Sequence, residues 1–141
     1  MVSDTFVTYD PSFRGSPKIW LAKGCVWGGA GSSGVLAAFK QWTLGKGKRP
    51  SDFKKPEDED SAPKIDVLQL HPKNGIFLWV NGDLPEKVDE PFYAVGSGAA
   101  YAVGAMSHGA THKEALEIAA KWDSSTRLPG HVVTLPKRRG K

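Results

Sequence analysis

Apolar and polar positions alternate along this chain in short blocks whose period changes several times. "MVSDTFVTY" (1–9) is rich in Val, Thr, Phe and Tyr and reads as a strand. "KIWLAKGCVWGGAG" (18–31) reads as two short strands joined around Lys23-Gly24, a hairpin. In "SSGVLAAFKQWTLG" (32–45) the period becomes helical: Val35, Leu36, Phe39 and Trp42 fall on one face. Ser32 or Ser33 can cap that helix and Gly45 can end it. "KIDVLQLHP" (64–72) and "GIFLWVNGD" (75–83) flank Asn74-Gly75, a hairpin signal. "FYAVGSG" (92–98) reads as a further strand running into a helix over about 98–108.

The segment "THKEALEIAAKWDSSTR" (111–127) opens with Thr111 and places Glu114 three residues later, the pattern of a capping box. Ala115, Ile118, Ala119 and Trp122 form its apolar stripe, expected to pack into the core. "HVVTLP" (131–136) reads as a closing strand. Strands and helices come in groups rather than in βαβ repetition. That order predicts antiparallel sheets covered by helices, an α+β layered fold. No internal repeat is visible.

Composition adds bounds to this picture. The chain has 141 residues, enough for one domain with a real core. We read 1–136 as that domain and 137–141 as a basic tail. Hydrophobic residues make up 40% and charged residues 24%, as in soluble globular proteins. The net charge of +4 owes much to "PKRRGK" (136–141), a solvated tail or a contact for nucleic acid or an acidic partner. Nucleic-acid binding is not expected, since no basic face with interleaved aromatics shows elsewhere. The charge-rich, proline-bearing stretch 46–63, with its acidic run 57–60, reads as an exposed connection. Cys25, the single cysteine, sits in an apolar stretch and excludes an intrachain disulfide. No membrane span and no secretion signal is present, so a cytosolic protein is expected.

The glycine turn at Gly96-Ser97-Gly98 invites a nucleotide-binding reading, which the neighbouring residues exclude. A dinucleotide fingerprint needs a third glycine, and Ala99, Ala100 and Tyr101 follow instead. A phosphate loop needs G-K-[ST], which is missing. His108 and His112 have zinc-helix spacing, but Gly109 between them breaks a helix and no H-E-x-x-H pattern exists.

Several segments in order resemble the proteasome β-subunit and the bacterial HslV subunit, which are N-terminal-nucleophile hydrolases. "VSDT" (2–5) is similar to the segment carrying the family's catalytic aspartate, here Asp4. "SPKIW" (16–20) resembles the strand with the catalytic lysine, here Lys18. "GGAGSSG" (28–34) is similar to the segment whose glycine N–H forms the oxyanion hole, here Gly31. "FYAVGSGAAYAVGAM" is close to the strand–GSG–helix segment, with Ser97 as the supporting serine. "EALEIAAKWDSST" resembles the helix ending in an aspartate, placing Asp123 and Thr126 beside the site.

The resemblance implies a four-layer αββα sandwich and hydrolysis of unfolded polypeptide inside a ring of identical subunits. It implies no organic cofactor. A weak cation site at Asp123 and Thr126 and a separate ATP-dependent unfoldase partner follow from the same analogy. The chain departs from the family at its start. The family's nucleophile is an N-terminal threonine on a strand ahead of the aspartate, whereas Asp4 lies almost at the start and Val2 carries no hydroxyl. Three expectations follow: a start lying upstream, a relative that lost its nucleophile, or an N-terminal piece removed. The compact form is nearest to short HslV-type members, including those of bacteriophages. A catalytically inactive structural or assembly protein on the same fold is the alternative function.

Overall fold

The computed structural model describes residues 2–3, 18–49, 65–81, 84–126, 131–132 and 135. Five strands form an antiparallel meander: β2 (Ile19–Ala22), β3 (Cys25–Gly31), β4 (Ile65–His71), β5 (Gly75–Val80) and β6 (Glu86–Val88). Two further short strands, β1 (Val2–Ser3) and β7 (His131–Val132), pair antiparallel with Val2 opposite Val132. Helix α1 (Ser33–Thr43) follows β3, and α2 (Ala99–Ser107) and α3 (His112–Trp122) follow β6. The α+β class, with grouped strands and paired helices, is as the sequence pattern implies.

Alternation within the meander sorts its side chains onto two faces. Trp20, Cys25, Trp27, Ile65 and Val67 share one face through the pairs Trp20–Trp27, Ala22–Cys25 and Gly31–Ile65. Helix α1 covers this face, and Phe39, fully buried, is the residue it drives in. Phe39 meets Trp27, Trp42 and Trp79 edge-on at centroid separations of 5.8, 5.5 and 5.7 Å. Such tilted pairs suit the ring quadrupole and add to area burial. Each indole N–H in this layer that could be stranded finds an acceptor. Trp20 Nε1–H donates to Thr43 Oγ1 at 2.8 Å, and Trp27 Nε1–H to the Ala22 carbonyl at 2.9 Å. Trp79 Nε1–H donates to Gln69 Oε1 at 3.0 Å, while Gln69 Nε2 reaches the buried Cys25 sulfur at 3.4 Å. No buried side-chain polar atom among the described residues lacks a partner.

The 18–31 hairpin turns at Lys23-Gly24, both at positive φ, as its sequence implies. The second hairpin forms where Asn74-Gly75 signals it, but not as a two-residue turn. Three residues, Pro72 to Asn74, separate the paired His71 and Gly75, and only Gly75 takes positive φ. The His71 imidazole closes this turn: Nδ1 accepts from the Lys73 and Asn74 N–H groups at 3.1 and 3.2 Å. A side-chain acceptor thus supports the hairpin that Asn74-Gly75 signals.

Helix ends match the sequence signals unequally. Thr111 and Glu114 form the full capping box, with bonds of 3.2 and 2.8 Å. Ser32 occupies the cap of α1 without a side-chain bond, and Gly45 at φ +82° ends it as expected. Gly109 at φ +91° breaks the chain between α2 and α3, so His108 and His112 share no helix.

Two expectations fail. Residues 92–95 are not a strand; the strand is β6, six residues earlier. Pro91, which has no N–H to donate, follows the bend that takes the chain off the sheet edge. The α3 stripe also splits: Ala115 and Ala119 are buried, whereas Ile118 is 39% and Trp122 64% exposed. Only small side chains fit where α3 meets α2 and the glycine turn, so the larger pair points outward. The tail 137–141 and the connection beyond Arg49 lie outside the described residues.

Phe39→Ala is expected to destabilise the fold by about 3–5 kcal/mol, because the rigid indoles around it cannot close the cavity. Urea unfolding followed by tryptophan fluorescence measures this. Thr111→Ala is expected to cost about 1 kcal/mol through loss of the α3 cap, read in the same titration.

Candidate functional site

The site begins with a close approach. Gly96 has φ +104°, open to glycine at little cost, and its α-carbon faces β3 so tightly that a Cβ would lie 3.3 Å from the Ala30 Cβ. The Gly96-Ser97-Gly98 turn therefore rests on the end of β3, one residue from Gly31. On its other side it rests on the C-terminal end of α3. A Cβ on Gly98 would lie 2.6 Å from Thr126 Oγ1, 3.1 Å from Ala119 Cβ and 3.3 Å from Asp123 Oδ2. Gly98 has an ordinary φ of −84°, so space, not backbone conformation, requires glycine there.

Asp123 is the hub of this contact. It leaves the α3 helix in an extended conformation, which turns its carboxylate toward the glycine turn. Oδ2 accepts from Ser97 Oγ at 2.7 Å and from Thr126 Oγ1 at 2.6 Å. Oδ1 accepts from the Ser125 N–H at 3.4 Å. The hydroxyl of Thr126, then that of Ser97, hold the Asp123 pKa below its ordinary value, against a smaller opposing effect of desolvation. The carboxylate is an anion held by donors, well suited to orient hydroxyls and poorly suited to take a proton.

Lys18 opens β2, and its carbonyl accepts from the Gly29 N–H at 3.2 Å, which ties it to β3. Lys18, Gly31, Ser97 and Thr126 all line one cavity of about 1080 Å³, and Asp123 braces its wall through Ser97 and Thr126. The structure thus brings together four of the residues picked from sequence, with Asp123 directly behind them. Asp4 lies outside the described residues. Among the described residues no cluster of His, Cys, Asp and Glu could hold a metal ion, and the three Asp123 contacts above all come from donors.

Sequence reading missed the double close approach of Gly96 and Gly98. The two glycines flanking Ser97 were its visible signal, since a turn needs only one. It also missed that Lys40 and Gln41 of α1 line the same cavity.

With this geometry in view, the likeness to solved structures is informative. The chain is similar to BPH from Thiobacillus denitrificans, at 20% identity and TM-score 0.67, over 96% of this chain and 92% of that one. The same protein in complex with epoxomicin matches at 21% identity and TM-score 0.64, over 92% and 88%. HslV from Trypanosoma brucei matches at 13% identity and TM-score 0.63, also over 92% and 88%. No family model matches the chain, and no curated protein does. The chain therefore has an HslV-like fold, the one its ordered motifs imply.

The lowered Asp123 pKa sets a sign. Its contribution to stability is complete above the ordinary carboxylate value and is lost as the pH falls through the lowered folded value. The stability difference between the wild type and Asp123→Asn is expected to be largest at neutral pH and to vanish in strong acid. Unfolding titrations across roughly pH 2–7 check this; a difference that stays constant over that range contradicts it.

Proposed function

We propose that this protein is a subunit of a proteasome- or HslV-like peptidase of the threonine type, built as a four-layer αββα sandwich. The observation that carries this reading is the Ser97–Asp123–Thr126 hydrogen-bonded cluster set against β3 beside Gly31 and Lys18. It supports the reading because each group has a use in amide hydrolysis. In the family this chain resembles, the attacking group is an N-terminal threonine whose own amine takes the hydroxyl proton; this sequence does not contain it, and in this reading a segment ahead of Asp4 supplies it. The Lys18 ammonium lowers the nucleophile's pKa, and Asp4 orients the lysine. The Gly31 N–H receives the oxyanion, an interaction worth about 3–4 kcal/mol in other enzymes. Ser97, held by Asp123, keeps the cavity wall in register with the nucleophile. The β1–β7 pair, lying against α3, is in this reading part of the second sheet.

The substrate is unfolded polypeptide, the working form a cytoplasmic ring of identical subunits, and the driving partner an ATP-dependent unfoldase. No organic cofactor takes part; a weakly held cation at Asp123 and Thr126 would be structural. The likeness to BPH, a protein solved in complex with epoxomicin, makes that compound a suitable inhibitor to try here.

The test is hydrolysis of casein and of a fluorogenic peptide by the protein purified from the cells that express it. Activity is expected to be blocked by epoxomicin and reduced about 100-fold or more by Lys18→Ala, the scale of losing one strong electrostatic contact in a site. Hydrolysis untouched by Lys18→Ala would overturn the site. Assembled protein with no hydrolysis would favour the inactive structural protein on the same fold.

A further inference from the structure

Among the described residues Thr43 is the polar side chain that the core buries, with 1% of its surface exposed. It ends α1, and its hydroxyl is used twice. The hydroxyl donates to the Lys40 carbonyl at 2.7 Å and accepts from Trp20 Nε1–H at 2.8 Å. The second bond crosses from the helix to β2 and joins positions 23 residues apart. Apolar surfaces tolerate small slides past one another. A hydrogen bond in the core is directional, and breaking it leaves a costly unpaired donor.

Strand β2 needs such a bond. It is four residues long and lies at the edge of the five-stranded sheet, with its ladder on β3. Two indoles clamp it there. Trp27, opposite Trp20, donates to the Ala22 carbonyl at the far end of β2. Trp20, pinned by Thr43, acts at the near end, two residues after Lys18. Lys18 precedes the strand, and its carbonyl meets the Gly29 N–H at 3.2 Å, just outside the last ladder pair, Ile19–Gly28. The end of an edge strand is where a ladder opens first. The Trp20–Thr43 bond braces the strand close to that end.

We propose that Thr43 is a positioning residue. Through the Trp20 indole it holds the start of β2 against β3, and so fixes the backbone from which Lys18 reaches the cavity. The use made of Lys18 rests on the peptidase reading; the bracing of its backbone does not. A lysine that acts on a neighbouring group depends on where its stem begins. A misplacement of about 1 Å, even one caused far from the chemistry, costs on the order of 100-fold in rate.

Three variants of the full chain separate this bond from bulk packing. Thr43→Val keeps the shape and removes the hydroxyl, Thr43→Ser keeps the hydroxyl, and Trp20→Phe removes the indole N–H from the other side. Amide hydrogen exchange followed by NMR reads the brace without any substrate. In Thr43→Val the Gly29 amide is expected to exchange about ten-fold faster, the scale of one net hydrogen bond, while amides of the β4–β5 ladder change less than about two-fold. Trp20→Phe is expected to do the same, and Thr43→Ser to stay close to wild type. Combining Thr43→Val with Trp20→Phe is expected to add nothing to either alone, since both remove one bond. Should Thr43→Val not fold, Trp20→Phe carries the same comparison. In the hydrolysis assay, Thr43→Val is expected to lower kcat about ten-fold or more with KM within about two-fold, and Thr43→Ser to restore kcat. Exchange that quickens equally at Gly29 and along β4–β5 would make Thr43 a core residue only and overturn the inference, as would a loss confined to KM. Hydrolysis with unchanged kcat in Thr43→Val would overturn it and leave the peptidase reading standing. Quickening local to Gly29 in a protein that hydrolyses nothing would uphold the brace and sink the peptidase reading.

Discussion

The packing of Phe39 into three tryptophans is the constraint on which the rest of the described structure depends. Trp27 and Trp79 come from β3 and β5, while Phe39 and Trp42 come from α1, so one cluster fixes the helix to the middle of the sheet. Everything at the cavity's α1 wall inherits its position from that cluster. Trp20 is locked by Thr43, one helical turn beyond Phe39, and Lys40 is the next residue along. Leu36 lies over Gly29, where a Cβ would collide with it, so the end of β3 is pressed by a core side chain from the same helix. The floor of the candidate site is the roof of the core, and the two cannot be altered independently.

A second anchor acts from the opposite side. The Asp123 carboxylate gathers Ser97 from the glycine turn and Thr126 from the end of α3. Three donors meet it, and this wall is held by those hydrogen bonds and by the lack of space around Gly98. The glycine turn is thus pressed from both sides, by Ala30 of β3 at Gly96 and by the end of α3 at Gly98.

Much of this was legible in the sequence, and the reasons are physical. The helical spacing of Val35, Leu36, Phe39 and Trp42, the Lys23-Gly24 turn and the Thr111–Glu114 box are local signals, fixed by residues within one or two turns of each other. Ser97 and Asp123 were legible only as parts of an ordered resemblance, and their 2.7 Å bond joins positions 26 residues apart. The failures are of one kind. "FYAV" has strand composition, but composition does not say whether a neighbouring strand is there to pair with. Ile118 and Trp122 have helical spacing, but spacing does not say how large a side chain the opposing surface admits. "LPEKVDE" lacks apolar alternation, yet its Glu86–Val88 takes the sheet's edge, where one row of backbone partners is enough. The close contacts of Gly96 and Gly98 are tertiary and leave only the two glycines as a trace.

The connectivity of the meander has a kinetic side. Pairs such as Ala22–Cys25 and His71–Gly75 close over a few residues, so the two hairpins can zip from their own turns. The β3–β4 seam, by contrast, joins Gly31 to Ile65 across α1 and the connection after it. That seam carries most of the search cost of the sheet, since chain entropy must be lost before its hydrogen bonds form. Phe39 sits within that span and touches tryptophans from both hairpins. The aromatic cluster thus offers the chain a rendezvous, where merging two local hairpins is rewarded at once by the burial of a ring.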